Sequence, residues 1–251
     1  MSNIPSIQLS QGIRAQDAVV RTSVLPGEIP GVETFHVVVP PGVTWQAEPE
    51  LGRLRVLFFM EGEGDIASPT FVSRFRNPAL FVPPVGSRFE VKATSRGCSA
   101  LEILMAISEA EAAGLAERGA QSFAYFVSYA DCSTYREAIK SEKTVSRTLV
   151  PENLLPRFCM GSVETTGPDL VAAHKHPMLE QLFLGLPENN CFVRADDDET
   201  PFGGNVLLHI PLGSNHSVRV EPGHKLHYLW LDFFRSQEGM RWITEMHKTE
   251  E

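Results

Sequence analysis

The stretch that decides the fold is His174-Lys175-His176-Pro177-Met178-Leu179-Glu180-Gln181. His174 and His176 lie two residues apart, and residues at that spacing point to the same face of a β-strand. Glu180 follows four residues after His176, so a strand that continues through it brings the carboxylate to the same face. Two imidazoles on one face can share a metal ion when a neighbouring strand supplies a further donor.

A second histidine motif lies downstream in Pro211-Leu212-Gly213-Ser214-Asn215-His216. A Pro-x-Gly turn precedes His216, and the alternating residues 217–220 are typical of a strand, which can bring this imidazole beside the first motif. Three neutral imidazoles and one carboxylate suit a borderline divalent ion such as iron, manganese, nickel, copper or zinc.

The order of these residues resembles the two metal motifs of the cupin superfamily: His-x-His, a glutamate four residues on, then Pro-x-Gly-x-x-His. The resemblance implies a small antiparallel β-barrel that binds one divalent metal. The ligands that it implies are His174, His176, Glu180 and His216. The competing interpretation is two ordinary surface histidines and a third that ends a turn. Residues 186–204 between the motifs contain a run of acidic side chains and are predicted to form an exposed loop.

Composition and charge limit the classes of partner. The chain has 251 residues, a net charge of −9 and a pI near 5.4, which disfavours a nucleic-acid surface. It has no apolar run of about 18 residues, so no membrane span is expected. The start lacks the features of a signal peptide and the four cysteines show no Cys-x-x-Cys, which predicts free thiols and a cytoplasmic protein. A small-molecule substrate is expected, and a homodimer remains an option.

Several short β-branched and aromatic segments, separated by Pro/Gly turns, predict an all-β sandwich or barrel. A helix is predicted over residues 108–118, with Ser108 and Glu111 as a capping box and Gly119 as the stop. A second short helix is predicted over residues 135–140, and the tail from Ser236 has the spacing of an amphipathic helix packed on a barrel.

The two halves of the chain repeat each other. Residues 84–92 align with residues 211–219 at an offset of 127, and Arg55 aligns with Glu180 in the preceding strand. The repeat predicts two antiparallel jelly-roll barrels in tandem, the arrangement called a bicupin, with a few short helices in the connector and at the C-terminus. The predicted domains are 1–107, a barrel without metal ligands; 108–155, the connector; and 156–251, the metal-binding barrel with its C-terminal helix.

The first copy differs from the second at the positions that carry the chemistry. Phe89 stands in place of His216, Arg55 in place of Glu180, and no His-x-His precedes Arg55. We therefore expect one divalent metal per chain and a first barrel filled by side chains such as Leu57, Phe59 and Phe89. The competing idea is that the first barrel keeps a metal-free pocket for a second ligand.

The resemblance implies three reaction types on a small polar molecule: dioxygenation, isomerisation of a sugar or oxo acid, and lyase chemistry. Dioxygenation is favoured. The alternative to an enzyme is a bicupin that binds or senses a small molecule, and a further option is a metal that only stabilises the fold. Four residues are candidates for proton transfer or hydrogen bonding to the substrate: His209, His227, Tyr228 and Gln181. Each can instead be a structural neighbour of the ligands.

Overall fold

The computed structural model describes residues 4–9, 13, 17–117, 119, 124–137 and 140–240. All strand pairs within them are antiparallel, which confirms the all-β prediction. The strands are β1 (Ser6–Gln8), β2 (Val20–Val24), β3 (Val32–Val39), β4 (Thr44–Ala47), β5 (Arg53–Ser68), β6 (Phe71–Arg76), β7 (Ala79–Val82), β8 (Phe89–Ala106), β9 (Tyr125–Ser128), β10 (Thr134–Tyr135), β11 (Val145–Leu155), β12 (Phe158–Thr166), β13 (Asp169–His174), β14 (Leu179–Gly185), β15 (Asn190–Ala195), β16 (Asp198–Gly203), β17 (Val206–Ile210), β18 (His216–Val220) and β19 (Lys225–Phe234). Helix α1 (Glu109–Glu117) follows β8.

The chain divides into two compact units whose boundaries differ from the predicted ones. The first unit is Gln11–Cys132, and the second is Met1–Ser10 with Ser133–Glu251. The N-terminal residues belong to the second unit because β1 pairs with β17, so that Ser6 lies opposite Leu208. The first unit extends past residue 107 because β9 pairs with β7. Both pairings join segments far apart in sequence, which local patterns do not reveal.

The second unit is a sandwich of two sheets. The larger sheet has the order β1-β17-β14-β19-β12-β11-β10, and the smaller one has the order β13-β18-β15-β16. Alternate side chains from both sheets interleave in one core, which is the packing expected of a jelly roll. The larger sheet contributes Val163, Phe183, Leu208, Ile210, Leu226 and Tyr228, and the smaller one contributes Val171, Cys191, Val193, Phe202 and Val218.

The prediction of an exposed loop at residues 186–204 is wrong. Most of this segment is a hairpin in which β15 pairs with β16 and Ala195 lies opposite Asp198. Asp196 adopts a positive φ of 53° in the two-residue turn, a conformation that aspartate tolerates better than most residues. The acidic run therefore forms the turn and the start of β16, while Val193 and Phe202 on either side are fully buried at 0% exposure.

The first unit is organised around two long strands, β5 and β8, which pair along most of their length. Register shifts between Phe59 and Glu61 and between Gly62 and Gly64 mark bulges, which bend such long strands. The bends let β5 and β8 cover both sides of one apolar core. Leu57, Phe59 and Phe89 belong to this core, as predicted for a barrel filled by side chains.

The predicted capping box of α1 is confirmed. The Ser108 backbone N–H donates to Glu111 at 2.9 Å, and the Glu111 N–H donates to Ser108 Oγ at 3.2 Å. The helix predicted over residues 135–140 is wrong at its start, because Tyr135 lies in β10 opposite Ser146. The predicted tail helix lies mostly outside the described residues. Within those residues, no helix has the length and apolar character needed to cross a membrane.

Candidate metal centre

Three histidines predicted from sequence come together in the second unit. His174 ends β13, His216 begins β18, and these two residues lie opposite each other in the paired strands. His176 follows His174 by two residues, and the centroids of its ring and the His174 ring are 4.8 Å apart. One ring nitrogen of each histidine lies within 4.8 Å of those of the other two, a spacing compatible with a shared metal ion.

The backbone orients two of these rings. His174 Nδ1 lies 2.7 Å from the carbonyl oxygen of Ala172, and His216 Nδ1 lies 3.3 Å from that of Ser214. A carbonyl oxygen only accepts hydrogen bonds, so each Nδ1 carries the proton and each Nε2 keeps its lone pair. Metal-binding histidines have this arrangement, in which one ring nitrogen is held by an outer partner and the other binds the metal.

His216 is held in the neutral form that a metal requires. Its side chain is only 2% exposed. Burial and then the neighbouring His174 lower the pKa of His216 to about 3, against the weaker opposing effects of the Ser214 carbonyl and Asp196. A neutral imidazole binds a divalent ion without first losing a proton. The three residues therefore fit a transition metal that accepts nitrogen ligands.

The structure places Glu180, the predicted fourth ligand, in a different set of contacts. Its Oε1 accepts a hydrogen bond from Arg235 Nη2 at 2.7 Å, and its Oε2 lies 3.2 Å from His209 Nε2. Among the histidine, cysteine and acidic side chains of the described residues, the group with metal-ligand spacing contains the three histidines without Glu180. Its role as a ligand stays a prediction.

Strand β19 has two faces, and the structure decides which one faces the histidines. Tyr228 belongs to the core between the sheets, and its ring centroid is 4.8 Å from that of Phe183. Residues 226, 230 and 232 share that face because side chains alternate along a strand. His227 is on the other face, where its Nδ1 lies 2.8 Å from Glu188 Oε1.

The other two candidates from sequence also lie on opposite faces of the larger sheet. His209 is flanked in β17 by Leu208 and Ile210, which both belong to the core between the sheets. Its side chain therefore points away from that core, and it contacts Glu180 on the far face. Gln181 is buried, and its Nε2 donates to Asp232 Oδ1 at 2.8 Å.

Sequence reasoning missed a buried polar group beside Gln181. Asp232 is 6% exposed, and burial raises its pKa to about 7 although the hydrogen bond from Gln181 acts in the opposite direction. Lys140 Nζ donates to Glu137 Oε1 at 2.6 Å and to Ser146 Oγ at 3.1 Å. Burial lowers the pKa of Lys140, while Glu137 and Asp232 act to raise it. The alternating pattern of residues 226–232 indicated a strand with Asp232 on one face, but it did not show which face of that strand lies towards the core.

The first unit has a different arrangement at the corresponding place. The Phe89 ring packs edge-on against Phe81 and Trp45 at centroid distances of 5.4 Å and 5.6 Å. The Arg55 guanidinium lies 5.3 Å from the centre of the Phe89 ring. A cleft beside Phe89, lined by residues such as Ser68 and Arg88, leaves the idea of a second ligand open.

The comparisons with known proteins come from structure alone. No family model matches the sequence, and no curated protein matches it. A protein of Pseudomonas aeruginosa described as glyoxylate-induced is 14% identical, with a TM-score of 0.72, over 85% of this chain and 79% of its own. Oxalate decarboxylase of Lactobacillus farciminis, solved as a formate complex, is 12% identical with a TM-score of 0.69, over 93% of this chain and 87% of its own.

A third similar structure is described as a cupin. The Cupin 2 conserved barrel domain protein from Leptotrichia buccalis is 17% identical with a TM-score of 0.63, and the match covers 94% of this chain and 98% of that one. At these identities the similarity establishes the fold. Together with the two β units and their internal repeat, it shows that this chain has the cupin fold in the two-unit arrangement called a bicupin.

Proposed function

We propose that this protein is a metal-dependent enzyme that acts on a small, oxygen-rich molecule, with dioxygenation as the favoured reaction. The observation that carries the proposal is the cluster of His174, His176 and His216 in the second unit. Backbone carbonyl groups orient two of these three imidazoles, and the ring nitrogens of all three lie close together. Three converging histidines are more than a structural role requires at the edge of a mainly apolar core.

The three histidines would hold one divalent ion of iron, manganese, nickel, zinc or copper. Such an ion supplies a Lewis acid that polarises bound oxygen ligands, and three protein nitrogens leave coordination positions for them. The ring of Phe183 lies beside His216 and packs on Tyr228, and these rings would limit the access of water from that side of the site. Low water content strengthens the interaction of fixed dipoles and charges with a polar substrate.

The second unit also contains the buried polar group described above, which could supply hydrogen bonds to a polar substrate. The carboxyl group of Asp232 can accept a hydrogen bond from a hydroxyl group, or donate one to a carboxylate when it is protonated. Lys140, with Glu137 beside it, adds a partly balanced positive charge in the same unit. These groups favour a polar molecule of a few heavy atoms over an apolar one. The net charge of −9 argues against a nucleic-acid substrate.

The second candidate is lyase or isomerase chemistry on a small oxo or carboxylic acid. The specific observation in its favour is the structural similarity to oxalate decarboxylase, a protein named for its action on a small oxygen-rich dianion. A non-catalytic protein that binds or senses such a molecule is the third candidate. All three share the metal centre, and they differ in what happens to the ligand.

Metal analysis followed by a substrate screen tests the proposal. We expect purified protein to bind one equivalent of a first-row transition metal, and His216→Ala to lose it. A panel of small hydroxy acids, oxo acids, catechols and sugars is then assayed with a dioxygen electrode and again under strict anaerobiosis. Dioxygen uptake coupled to turnover supports dioxygenation, whereas unchanged anaerobic turnover selects the lyase or isomerase. Wild-type protein that binds no metal would contradict the whole proposal.

A further inference from the structure

We infer that Gln181, through its amide oxygen Oε1, is the fourth protein donor to the metal held by the three histidines, and that Glu180 is not. This inference rests on the metal centre proposed above. It replaces the ligand that the sequence motif implies with the next residue of the strand, because the motif alone does not determine which of the two neighbouring side chains faces the histidines. Four independent features of the structure carry it.

The first feature is the face of β14 on which each side chain lies. The Phe183 ring lies 5.8 Å from the His216 ring, centroid to centroid, so residue 183 points towards the histidines. Gln181 is two residues away and shares that face, whereas Glu180 points to the other face. The contact of Glu180 with His209, which also points away from the core, agrees with this assignment.

The second feature is the internal repeat, read from the sheet register. Leu57 pairs with Phe81 in the first unit, and Phe183 pairs with Leu208 in the second. Phe81 precedes Phe89 by eight residues, as Leu208 precedes His216. Leu57 therefore corresponds to Phe183. Arg55 and Gln181 each lie two residues earlier, so they correspond to each other. The sequence alignment of Arg55 with Glu180 was shifted by one residue.

This correction locates the side chain of Gln181 relative to His216. In the first unit the Arg55 guanidinium lies 5.3 Å from the ring of Phe89, the residue that corresponds to His216. The same pair of positions in the second unit holds Gln181 and His216. The position of Gln181 thus faces the position of the third histidine in both copies of the fold.

The third feature is the unsatisfied oxygen of Gln181. The side chain is 5% exposed, and its Nε2 donates to Asp232 Oδ1 at 2.8 Å, while Oε1 is buried without a hydrogen-bond partner. In its ionised form Asp232 only accepts hydrogen bonds, which makes Nε2 the end of the amide that contacts it and leaves Oε1 without a partner. A buried oxygen without a hydrogen-bond partner destabilises the fold. A metal ion is a partner that removes this cost.

The fourth feature is that both oxygens of Glu180 already have partners. Arg235 balances its charge at 2.7 Å, and His209 contacts the other oxygen at 3.2 Å. Turning the carboxylate towards the histidines would break both contacts and move it through the plane of the sheet. Gln181 needs no such movement.

The ligand set has a consequence for the substrate. Three neutral imidazoles and a neutral amide leave the full double positive charge on a divalent ion, whereas a glutamate ligand would cancel one unit. A site with the larger charge attracts anionic oxygen ligands more strongly. We therefore assign an anionic substrate, such as a carboxylate or a deprotonated enediol, to this centre.

The test uses cobalt(II) as the probe on the full-length protein, with binding measured by calorimetry and by visible absorption. The matched pair of variants is Gln181→Leu and Glu180→Gln, at adjacent residues on opposite faces of β14. Loss of an outer partner of a ligand typically weakens metal binding by about 10–100-fold, and loss of a ligand should cost at least as much. We expect Gln181→Leu to weaken cobalt binding at least tenfold and to shift the ligand-field bands. Glu180→Gln should leave the bands unchanged.

A third variant, Gln181→Glu, preserves the size of the side chain, and it can keep a hydrogen bond to Asp232 when the two carboxyl groups share one proton. The added charge should tighten cobalt binding and weaken the binding of azide to the cobalt protein. Wild-type bands and affinity in Gln181→Leu or Gln181→Glu, or loss of the bands in Glu180→Gln, would overturn the inference. If wild-type protein binds cobalt and His216→Ala does not, the proposed metal centre stands whether or not Gln181 is a ligand. If wild-type protein binds no cobalt, both the metal centre and the role of Gln181 are overturned.

Discussion

A buried cluster of charges in the first unit permits a quantitative prediction for Glu102→Gln. Glu102 is 0% exposed, and its Oε2 lies 2.6 Å from Arg21 Nε. Its Oε1 lies 2.9 Å from Arg55 Nε without the alignment of a hydrogen bond, so their attraction is that of an ion pair. Glutamine has the same shape as glutamate and no charge, so the substitution isolates the electrostatic contribution.

The size of the expected destabilisation follows from the charged partners that Arg55 keeps. Its side chain is 8% exposed, and the remaining charged partner is Glu50, at 3.2 Å and 33% exposed. Breaking a buried ion pair by removing one partner costs about 3–5 kcal/mol, and the partly exposed Glu50 compensates the buried Arg55 charge only in part. For a chain of this length each kcal/mol lowers Tm by about 2–4 °C, so we expect a decrease of about 6–20 °C.

Differential scanning calorimetry measures this decrease, and it resolves the first unit if the two units unfold separately. Asp65→Asn is the matched control, because Asp65 pairs with Arg74 in the same unit at 2.8 Å but at the surface. Exposed pairs contribute little, so Asp65→Asn should leave Tm nearly unchanged. The double variant Glu102→Leu/Arg55→Met should be more stable than Glu102→Gln, since it removes both charges. A Tm for Glu102→Gln equal to that of Asp65→Asn would refute the reasoning.

Three further predictions concern the second unit. Saturating metal should raise the Tm of wild-type protein, because a ligand that binds only the folded state stabilises it, and should leave the Tm of His176→Ala unchanged. His224 is exposed, so His224→Ala is the control and should show the same increase as wild type. Equal increases in wild type and His176→Ala would contradict the site. Partial burial acts to raise the pKa of Glu188, but hydrogen bonds from His227 and Lys225 outweigh it and lower the pKa to about 2. The stabilisation that ionised Glu188 gives the folded state is therefore present above the ordinary pKa of 4.5 and lost as the pH falls towards 2. The Tm difference between wild type and Glu188→Gln should shrink over that range. A constant difference would argue against these hydrogen bonds. Gly161→Ala should destabilise the fold by about 1–3 kcal/mol in urea unfolding, because the new methyl group would overlap the Arg147 carbonyl and the Trp230 ring. Gly203→Ala, whose nearest neighbour would be 4.0 Å away, should be nearly neutral, and similar effects of the two substitutions would count against this packing.

Local patterns in the sequence were sufficient for the fold class and for the convergence of the three histidines that are candidate metal ligands. Alternating apolar segments with Pro/Gly turns indicate strands because period and turn chemistry are local properties. The His-x-His spacing and the downstream Pro-x-Gly-x-x-His motif predicted that His174, His176 and His216 would meet, and the structure brings them together. The capping box of α1 was also predictable, because its hydrogen bonds join residues three apart.

Contacts between distant segments were not available from local patterns. The pairing of β1 with β17 moves the first residues of the chain into the second unit. The buried contact between Gln181 and Asp232 depends on β14 and β19 lying side by side. Acidic residues at 196–199 indicated a loop, although the first two form the turn of a hairpin and the last two begin β16.

The proposed fourth donor of the candidate metal centre shows most clearly what sequence determined and what only tertiary structure decided. The sequence placed Glu180 and Gln181 side by side after the two histidines, and an alignment of the repeat matched Arg55 to the first of them. Successive side chains point to opposite faces of a strand, so an error of one residue exchanges the core face for the far face. Only the register of β14 against its neighbours, with Phe183 packed beside His216, distinguishes the two. Residue type and spacing are properties of the chain, whereas the face that a residue presents is set by the strands that pair with it.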